Sequence, residues 1–185
     1  IDGKTYLMDS PFLVMATQNP IEQEGTYRLP EAQLDRFMFK VVIDYPNLVD
    51  ECEIIRREHE ALNGDKTVDV QTVVQKADIE NVKSIVRSVL VEQNIIEYIA
   101  RIVQETREHP FLYLGASPRA SLAILNASKG FAALHGRDFV TPDDVKDSAL
   151  AVLQHRIIVA PEKEMEGVKT EDIVKQIIDA LEIPR

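Results

Sequence analysis

At 185 residues, with 45% hydrophobic and 28% charged residues, the chain is long enough to bury the core of one globular domain or slightly more. Its formal net charge of −10 disfavours direct binding to a nucleic-acid backbone, so we expect no nucleic-acid partner. No apolar run reaches the roughly 20 residues that a membrane-spanning helix needs, so we expect no direct membrane insertion.

The first 46 residues combine apolar runs with loop signals and are typical of part of an α/β domain. Two largely apolar runs, at residues 12–17 and 37–43, have the length and composition of strands buried on both faces of a parallel sheet. We expect them to be neighbouring or nearly neighbouring strands. Between them, residues 30–36 predict a short helix, because Pro30 suits the first helical position and Glu31 the first turn.

The composition changes near residue 46, and residues 47–185 predict a mainly helical domain. Ser117 and Pro118 form an N-cap with proline at the first helical position, and residues 141–144 form a capping-box-like start. One apolar stripe is expected along residues 95–106. The predicted helices run over residues 48–62, 78–89, 92–108, 118–134, 142–155 and 170–181.

Asn19 follows the first apolar run, at the point where a parallel strand ends. Ligands bind at the carboxyl ends of strands in open α/β sheets, and a carboxamide there can bind a phosphate or orient a water molecule. Asn-Pro also favours a turn, and this second reading is sufficient for the tripeptide Gln18-Asn19-Pro20 alone.

Arg36 ends the predicted short helix, beside the second apolar run. A guanidinium at such a position can stabilise the charge that spreads over phosphate oxygens during phosphoryl transfer. A surface ion pair with Asp35 or Glu31 is the alternative, and it would contribute at most about 1 kcal/mol.

Arg119 falls in the first turn of the helix that begins at Pro118. A positive charge there opposes the helix dipole, which points to an anion outside the helix. An exposed arginine without a partner is an equally good reading of this feature.

No spacing of the one cysteine and four histidines indicates a metal site. The triplet Gly3-Lys4-Thr5 matches the end of a phosphate-binding loop, but the earlier glycine and the preceding strand are missing. We therefore expect this chain by itself not to bind ATP. No targeting segment is seen, so a cytoplasmic location is the default expectation.

The order and spacing of these motifs resemble the MoxR family of AAA+ ATPases over essentially the whole chain. The resemblance is carried by residues 16–27 (ATQNPIEQEGTY) and 29–37 (LPEAQLDRF), and further along by residues 115–120 (GASPRA) and 140–145 (VTPDDV). It implies that residues 1–46 are the C-terminal part of an αβα AAA+ core, without Walker A and Walker B, and that residues 47–185 are a helical lid domain.

The resemblance also implies roles for the three candidate residues. Asn19 would be sensor 1, Arg36 the arginine finger acting on the ATP of the adjacent subunit, and Arg119 sensor 2. The family forms rings, usually hexamers, with Mg²⁺ and ATP between subunits. Its members act as chaperone-like ATPases that assemble or activate other protein complexes, alongside partners with von Willebrand factor A domains.

Two other functions stay open at this point. A magnesium-chelatase-like AAA+ subunit shares the sensor and finger layout, although the short segment from Asn19 to Arg36 fits MoxR better. An all-α protein-interaction module without nucleotide chemistry would leave the spacing of Asn19 and Arg36 as coincidence.

Overall fold

The computed structural model describes residues 3–18, 29–61 and 70–184. Among these residues the backbone is mainly helical with one small sheet, which confirms a mostly α fold. Contacts divide the chain into two compact units. One is drawn from residues up to Lys40 together with those from Lys76 onward, and the other is Val41–Gln75. The domain boundary near residue 46 stays a prediction.

The smaller unit contains helix α2, and the larger unit contains the other helices and strands. Their bounds are α1 Glu31–Leu34, α2 Leu48–Ala61, α3 Lys76–Ser88, α4 Gln93–Glu108, β1 Leu112–Leu114, α5 Pro118–Leu134, α6 Pro142–Leu153, β2 Ile158–Val159, α7 Pro161–Met165 and α8 Thr170–Ala180. Within the described part of the chain, no helix is both long and apolar enough to cross a bilayer.

Helix α5 begins and ends where its local signals predict. The hydroxyl of Ser117 accepts a hydrogen bond from the Arg119 N–H at 3.2 Å, and Pro118 occupies the first helical position. At the other end, Gly136 has a φ of +71°, a conformation that glycine adopts without steric cost. The cap and the glycine therefore determine the length of α5.

The core of the larger unit is formed by α4, α5, α6 and α8. The apolar stripe predicted on α4 is confirmed, because Ile95, Ile99, Ile102, Val103 and Thr106 are all buried. Side chains from the four helices meet there with no exposed surface, among them Ile102, Ile124, Leu153 and Ile173. Full burial of an apolar side chain of this size stabilises the folded state by about 1.5–3 kcal/mol.

The small sheet pairs β1 with β2 in antiparallel orientation, with Leu112 opposite Val159 and Leu114 opposite Ile158. Soon after β2, Pro161 begins the short helix α7. Strand β1 was not predicted, because the apolar run at residues 111–114 is so short that periodicity does not distinguish a strand from a buried helix segment.

The prediction that residues 12–17 and 37–43 form strands is wrong for this structure. Neither run is in a strand, and apolar side chains such as Leu13, Met15, Val41 and Ile43 are 77–89% exposed. An apolar sequence forms a strand only when a neighbouring strand supplies its ladder of hydrogen bonds. Among the described residues, neither run has such a neighbour.

Candidate functional site

Arg36 lies in the turn directly after α1, and its side chain is exposed. Its N–H donates to the carbonyl of Gln33 at 3.2 Å, and the next N–H, of Phe37, donates to Leu34 at 3.0 Å. Among the described residues the Arg36 guanidinium has no hydrogen bond or ion pair, so the pair with Asp35 or Glu31 considered from the sequence is not formed. The guanidinium is therefore available to an anion.

The carboxylate of Asp35, immediately before Arg36, is held by three other side chains. The hydroxyl of Ser117 donates to its two oxygens at 3.0 and 2.9 Å. Nη1 of Arg119 donates to Oδ2 at 3.1 Å, and Nε of Arg156 donates to Oδ1 at 3.1 Å. The turn that carries Arg36 is thereby attached to the start of α5 and to the residues after α6.

The electrostatics of this cluster keep Asp35 ionised. Burial opposes its charged form, but hydrogen bonds from Ser117, Arg119 and Arg156 outweigh it and hold the pKa of Asp35 below its ordinary value. Burial also lowers the pKa of Arg156, and the bond to Asp35 opposes that change. The two groups therefore stabilise each other's charged form.

Arg119 is in the first turn of α5, as predicted, and its side chain is 59% exposed. The anion that it meets among the described residues is Asp35. Its side-chain bond to Asp35 uses one nitrogen of a group with five N–H donors, so the guanidinium retains donors for a second anion. The structure thus links Arg119 and the turn of Arg36 through a single carboxylate.

A close backbone contact sets the position of the Ser117 and Arg119 region. The Ala116 N–H donates to the Thr106 hydroxyl, and Nε of Arg107 donates to the Ala116 carbonyl, both at 2.9 Å. A Cβ built on Gly115 would lie 2.6 Å from Arg107 Cα and 2.6 Å from the Thr106 carbonyl oxygen. Only glycine fits between β1 and α5 against the end of α4.

We expect Gly115→Ala to destabilise the chain by about 1–3 kcal/mol, because backbone atoms must move to admit the methyl group. Gly130→Ala is the matched control, since a Cβ on Gly130 in α5 meets nothing within 4 Å. In a helix interior that change should be neutral or stabilising by about 0.5–1 kcal/mol. Thermal unfolding followed by circular dichroism measures both, and equal shifts would show that the close contact carries no energetic cost.

A cleft of about 210 Å³ lies over the cluster, with Glu31, Leu114, His155 and Ile158 among its lining residues. Ligand pockets usually have about 300–1,000 Å³, so this cleft is small for a nucleotide. The Asp35 carboxylate, which also lines it, is already bonded to protein groups. The arrangement therefore positions a turn of backbone and does not enclose a substrate.

Asn19, the remaining predicted site residue, lies outside the described residues. The structure consequently brings together two of the three predicted residues, Arg36 and Arg119, through Asp35. Over the described ranges, no group of three or more histidine, cysteine, aspartate or glutamate side chains is arranged to hold a metal ion.

Sequence reasoning missed Asp35 and Arg156 as parts of this site. Asp35 stands inside the quoted motif at residues 29–37 and was considered only as an ion-pair partner of Arg36. Arg156 contacts Asp35 across 121 residues of sequence, so no local pattern points to it.

Two family profiles match the chain. The AAA lid domain matches residues 104–177, and the ATPase family associated with various cellular activities (AAA) matches residues 1–39. Arg119 and Arg156 fall in the first of these matches and Arg36 in the second.

Curated relatives match along the chain as well. The uncharacterized protein YeaC of Bacillus subtilis is 43% identical over 187 residues, covering 100% of this chain and 57% of YeaC. The chaperone MoxR1 of Mycobacterium tuberculosis is 36% identical over 194 residues, covering 100% of this chain and 50% of MoxR1. A magnesium-chelatase subunit ChlI homolog of Methanocaldococcus jannaschii is 29% identical over 154 residues, covering 80% and 39%. The chain spans about half the length of the first two relatives.

The fold is also similar to that of a solved structure. The crystal structure of a candidate ATPase from Cytophaga hutchinsonii superposes with a TM-score of 0.88 at 38% sequence identity. The match covers 99% of this chain and 58% of that protein.

Proposed function

Because the chain belongs to the MoxR family of AAA+ ATPases, we propose that the protein carrying it hydrolyses ATP to ADP and phosphate in a ring of like subunits. The ring is a hexamer, and the energy serves to assemble or activate other protein complexes. The observation that carries the proposal is the environment of Arg36. Its guanidinium is exposed and has no partner among the described residues, while Asp35 beside it is held by three side chains.

Each candidate residue has a proposed role. Arg36 is the arginine finger that contacts the ATP of the adjacent subunit, and Arg119 is sensor 2. Asn19 is sensor 1. Both arginines fit an anionic ligand, because the exposed Arg36 guanidinium has no partner among the described residues and the bond of Arg119 to Asp35 uses one of its donors.

The cofactor is ATP with Mg²⁺. When bound, it supplies the phosphoryl group whose developing charge a guanidinium stabilises. Arg36 and Arg119 would meet its phosphates, and the described residues contain no cluster of metal ligands. We therefore assign them charge stabilisation and nucleotide sensing, and assign none of them to Mg²⁺.

The proposed partners are the other subunits of the ring, a client complex and a protein with a von Willebrand factor A domain. The relative MoxR1 is named a chaperone, and this supports a client-assembly role. A cytoplasmic location is proposed with it, since the reaction consumes ATP.

A magnesium-chelatase-like function is the second candidate. The chelatase homolog is 29% identical over 80% of this chain, against 36% over 100% for MoxR1, which favours the MoxR-type function. An interaction module without nucleotide chemistry is disfavoured, because the AAA family profile covers residues 1–39, including Arg36.

The test uses a full-length protein that carries this chain. Its rate of ATP hydrolysis per subunit should rise with protein concentration as rings form, because each site needs Arg36 from another subunit. The 185-residue chain alone should neither bind nor hydrolyse Mg-ATP, since its sequence holds no phosphate-binding loop. Light scattering with steady-state kinetics measures how the rate of hydrolysis depends on ring assembly. Calorimetric titration with Mg-ATP measures binding by the chain alone. Micromolar ATP binding by the chain alone, or a rate per subunit that ignores assembly, would contradict the proposal.

A further inference from the structure

Arg156 follows α6 and is almost fully buried, with 2% of its side chain exposed. Beyond its bond to the Asp35 carboxylate, Nη2 donates to the backbone carbonyls of Asp35 and Phe37, and Nη1 donates to the carbonyl of Met38 at 3.1 Å. All three guanidinium nitrogens therefore bind the short segment on either side of Arg36. A second bond of Nη1, to the Val152 carbonyl, anchors the group to α6.

The two residues before Arg156 hold the same segment further along. Nε2 of His155 lies 3.0 Å from the Phe37 carbonyl and donates to it, and Nε2 of Gln154 donates to the carbonyl of Lys40. The Lys40 N–H in turn donates to the Ala151 carbonyl at 2.9 Å. The end of α6 and the turn after it thus fix the backbone of residues 35–40.

Among the described residues the side chain of Arg36 is free of hydrogen bonds, whereas Arg156 holds the backbone on either side of it. The Arg36 side chain is exposed and its guanidinium makes no hydrogen bond to the described residues, whereas the backbone around it accepts hydrogen bonds at four carbonyls. A guanidinium in solution samples many rotamers, and holding its backbone in one place removes the largest source of misplacement. The planar five-donor fork of arginine can reach a carboxylate and three carbonyls at once, which the ammonium of lysine cannot do.

We propose that Arg156 is a positioning residue for Arg36, which sets where the finger of one subunit stands relative to the ATP of the next. This inference rests on the proposed role of Arg36 as a finger in trans. Arg156 itself touches no nucleotide and acts through the backbone carbonyls of residues 35, 37 and 38. Because Arg156 follows α6, the position of the finger is tied to the helices of the proposed lid.

The test compares Arg156→Lys, which keeps the charge but loses the fork, with Asp35→Asn, which keeps the size but loses the charge. In a full-length protein, either change should lower kcat for ATP hydrolysis by about 10- to 100-fold, the effect expected of a finger misplaced by about 1 Å. For Arg156→Lys the KM for ATP should change by less than about three-fold, because neither the subunit's own binding loop nor the bond between Asp35 and Arg119 is altered. If Arg156→Lys fails to assemble into rings, the kcat of Asp35→Asn tests the proposal instead.

A mixed ring separates positioning from a merely structural role. Subunits with Arg156→Lys, mixed with subunits disabled in Walker B, should recover activity at interfaces where the intact site of an Arg156→Lys subunit faces Arg36 of a subunit that keeps Arg156. The double variant Arg36→Ala with Arg156→Lys should be no slower than Arg36→Ala alone, because the second change acts through the missing group. A further loss in the double variant, or no recovery in mixed rings that exchange subunits, would overturn the inference.

Arg137→Lys is the matched control. Arg137 also binds a carboxylate, that of Asp144, with two nitrogens, and its side-chain hydrogen bonds to the described residues lie outside residues 29–40. It should lower the melting temperature and leave kcat within about two-fold. If Arg156→Lys and Asp35→Asn behave like this control, Arg156 is only structural. If Arg36→Ala itself retains hydrolysis, the proposed function fails instead, and the two failures are thereby distinguished.

Discussion

Replacing Arg36 with alanine in a full-length protein should lower ATP hydrolysis by about 10³–10⁵-fold while ATP binding stays nearly intact. The corresponding loss of transition-state stabilisation is roughly 4–7 kcal/mol. Binding should persist because, in the proposed ring, the finger belongs to one subunit and the binding loop to another. Steady-state hydrolysis and calorimetric titration with Mg-ATP measure the two effects separately.

Mixing tests whether the contact is made in trans. Arg36→Ala subunits mixed with subunits disabled in Walker B should regain some activity, since at some interfaces an intact site then faces an intact finger. Arg101→Ala, at an exposed arginine of α4, is the control and should retain full activity. A mixing curve without recovery at any ratio, in rings shown to exchange subunits, would place the action of Arg36 within its own subunit or make it structural.

The second large effect is expected at Asp144, whose side chain is 1% exposed at the start of α6. Two nitrogens of Arg137 donate to its oxygens at 2.6 Å each, and the Thr141 N–H and hydroxyl donate at 2.8 and 2.9 Å. Burial opposes its ionisation, but the bonds from Arg137 and Thr141 prevail and lower its pKa from 3.8 to about 2. We expect Asp144→Asn to destabilise the chain by about 3 kcal/mol, because it breaks a buried ion pair and a capping box.

The pH dependence of this effect has a defined sign. The pKa of Asp144 is lower in the folded chain than in the unfolded one, so its contribution is complete above about pH 4 and is lost as the pH falls toward 2. About 2 kcal/mol of the difference between the native sequence and Asp144→Asn should therefore disappear over that range. Denaturant unfolding at several pH values, followed by circular dichroism, measures it.

Asp143→Asn provides the comparison one residue away. The Asp143 side chain is 85% exposed and lies 3.6 Å from Lys146, so its loss should change stability by less than about 0.5 kcal/mol. Equal destabilisation by the two variants, or a difference that stays constant between pH 4 and pH 2, would show that the buried pair is not the source of the effect.

Local signals were enough to predict much of the helical part. The Ser117-Pro118 start and the end before Gly136 gave α5 its bounds, and the apolar stripe on α4 identified residues that are buried in the core. Caps, prolines and helical periodicity act over a few residues, so they can be recognised without knowing what the helix packs against. The motifs at residues 16–37 and 115–120 likewise led to the family.

Other features depended on contacts between distant parts of the chain. Residues 12–17 and 37–43 are apolar enough for strands, but a strand needs a partner that no local pattern supplies. Strand β1 exists because β2, more than 40 residues further along, pairs with it. The same holds at the site. The sequence by itself singled out Arg36 and Arg119. Only the tertiary structure brought Arg156 to Asp35 across 121 residues of sequence. A buried guanidinium needs hydrogen-bond acceptors, and which residues supply them depends on the fold and not on the neighbouring sequence.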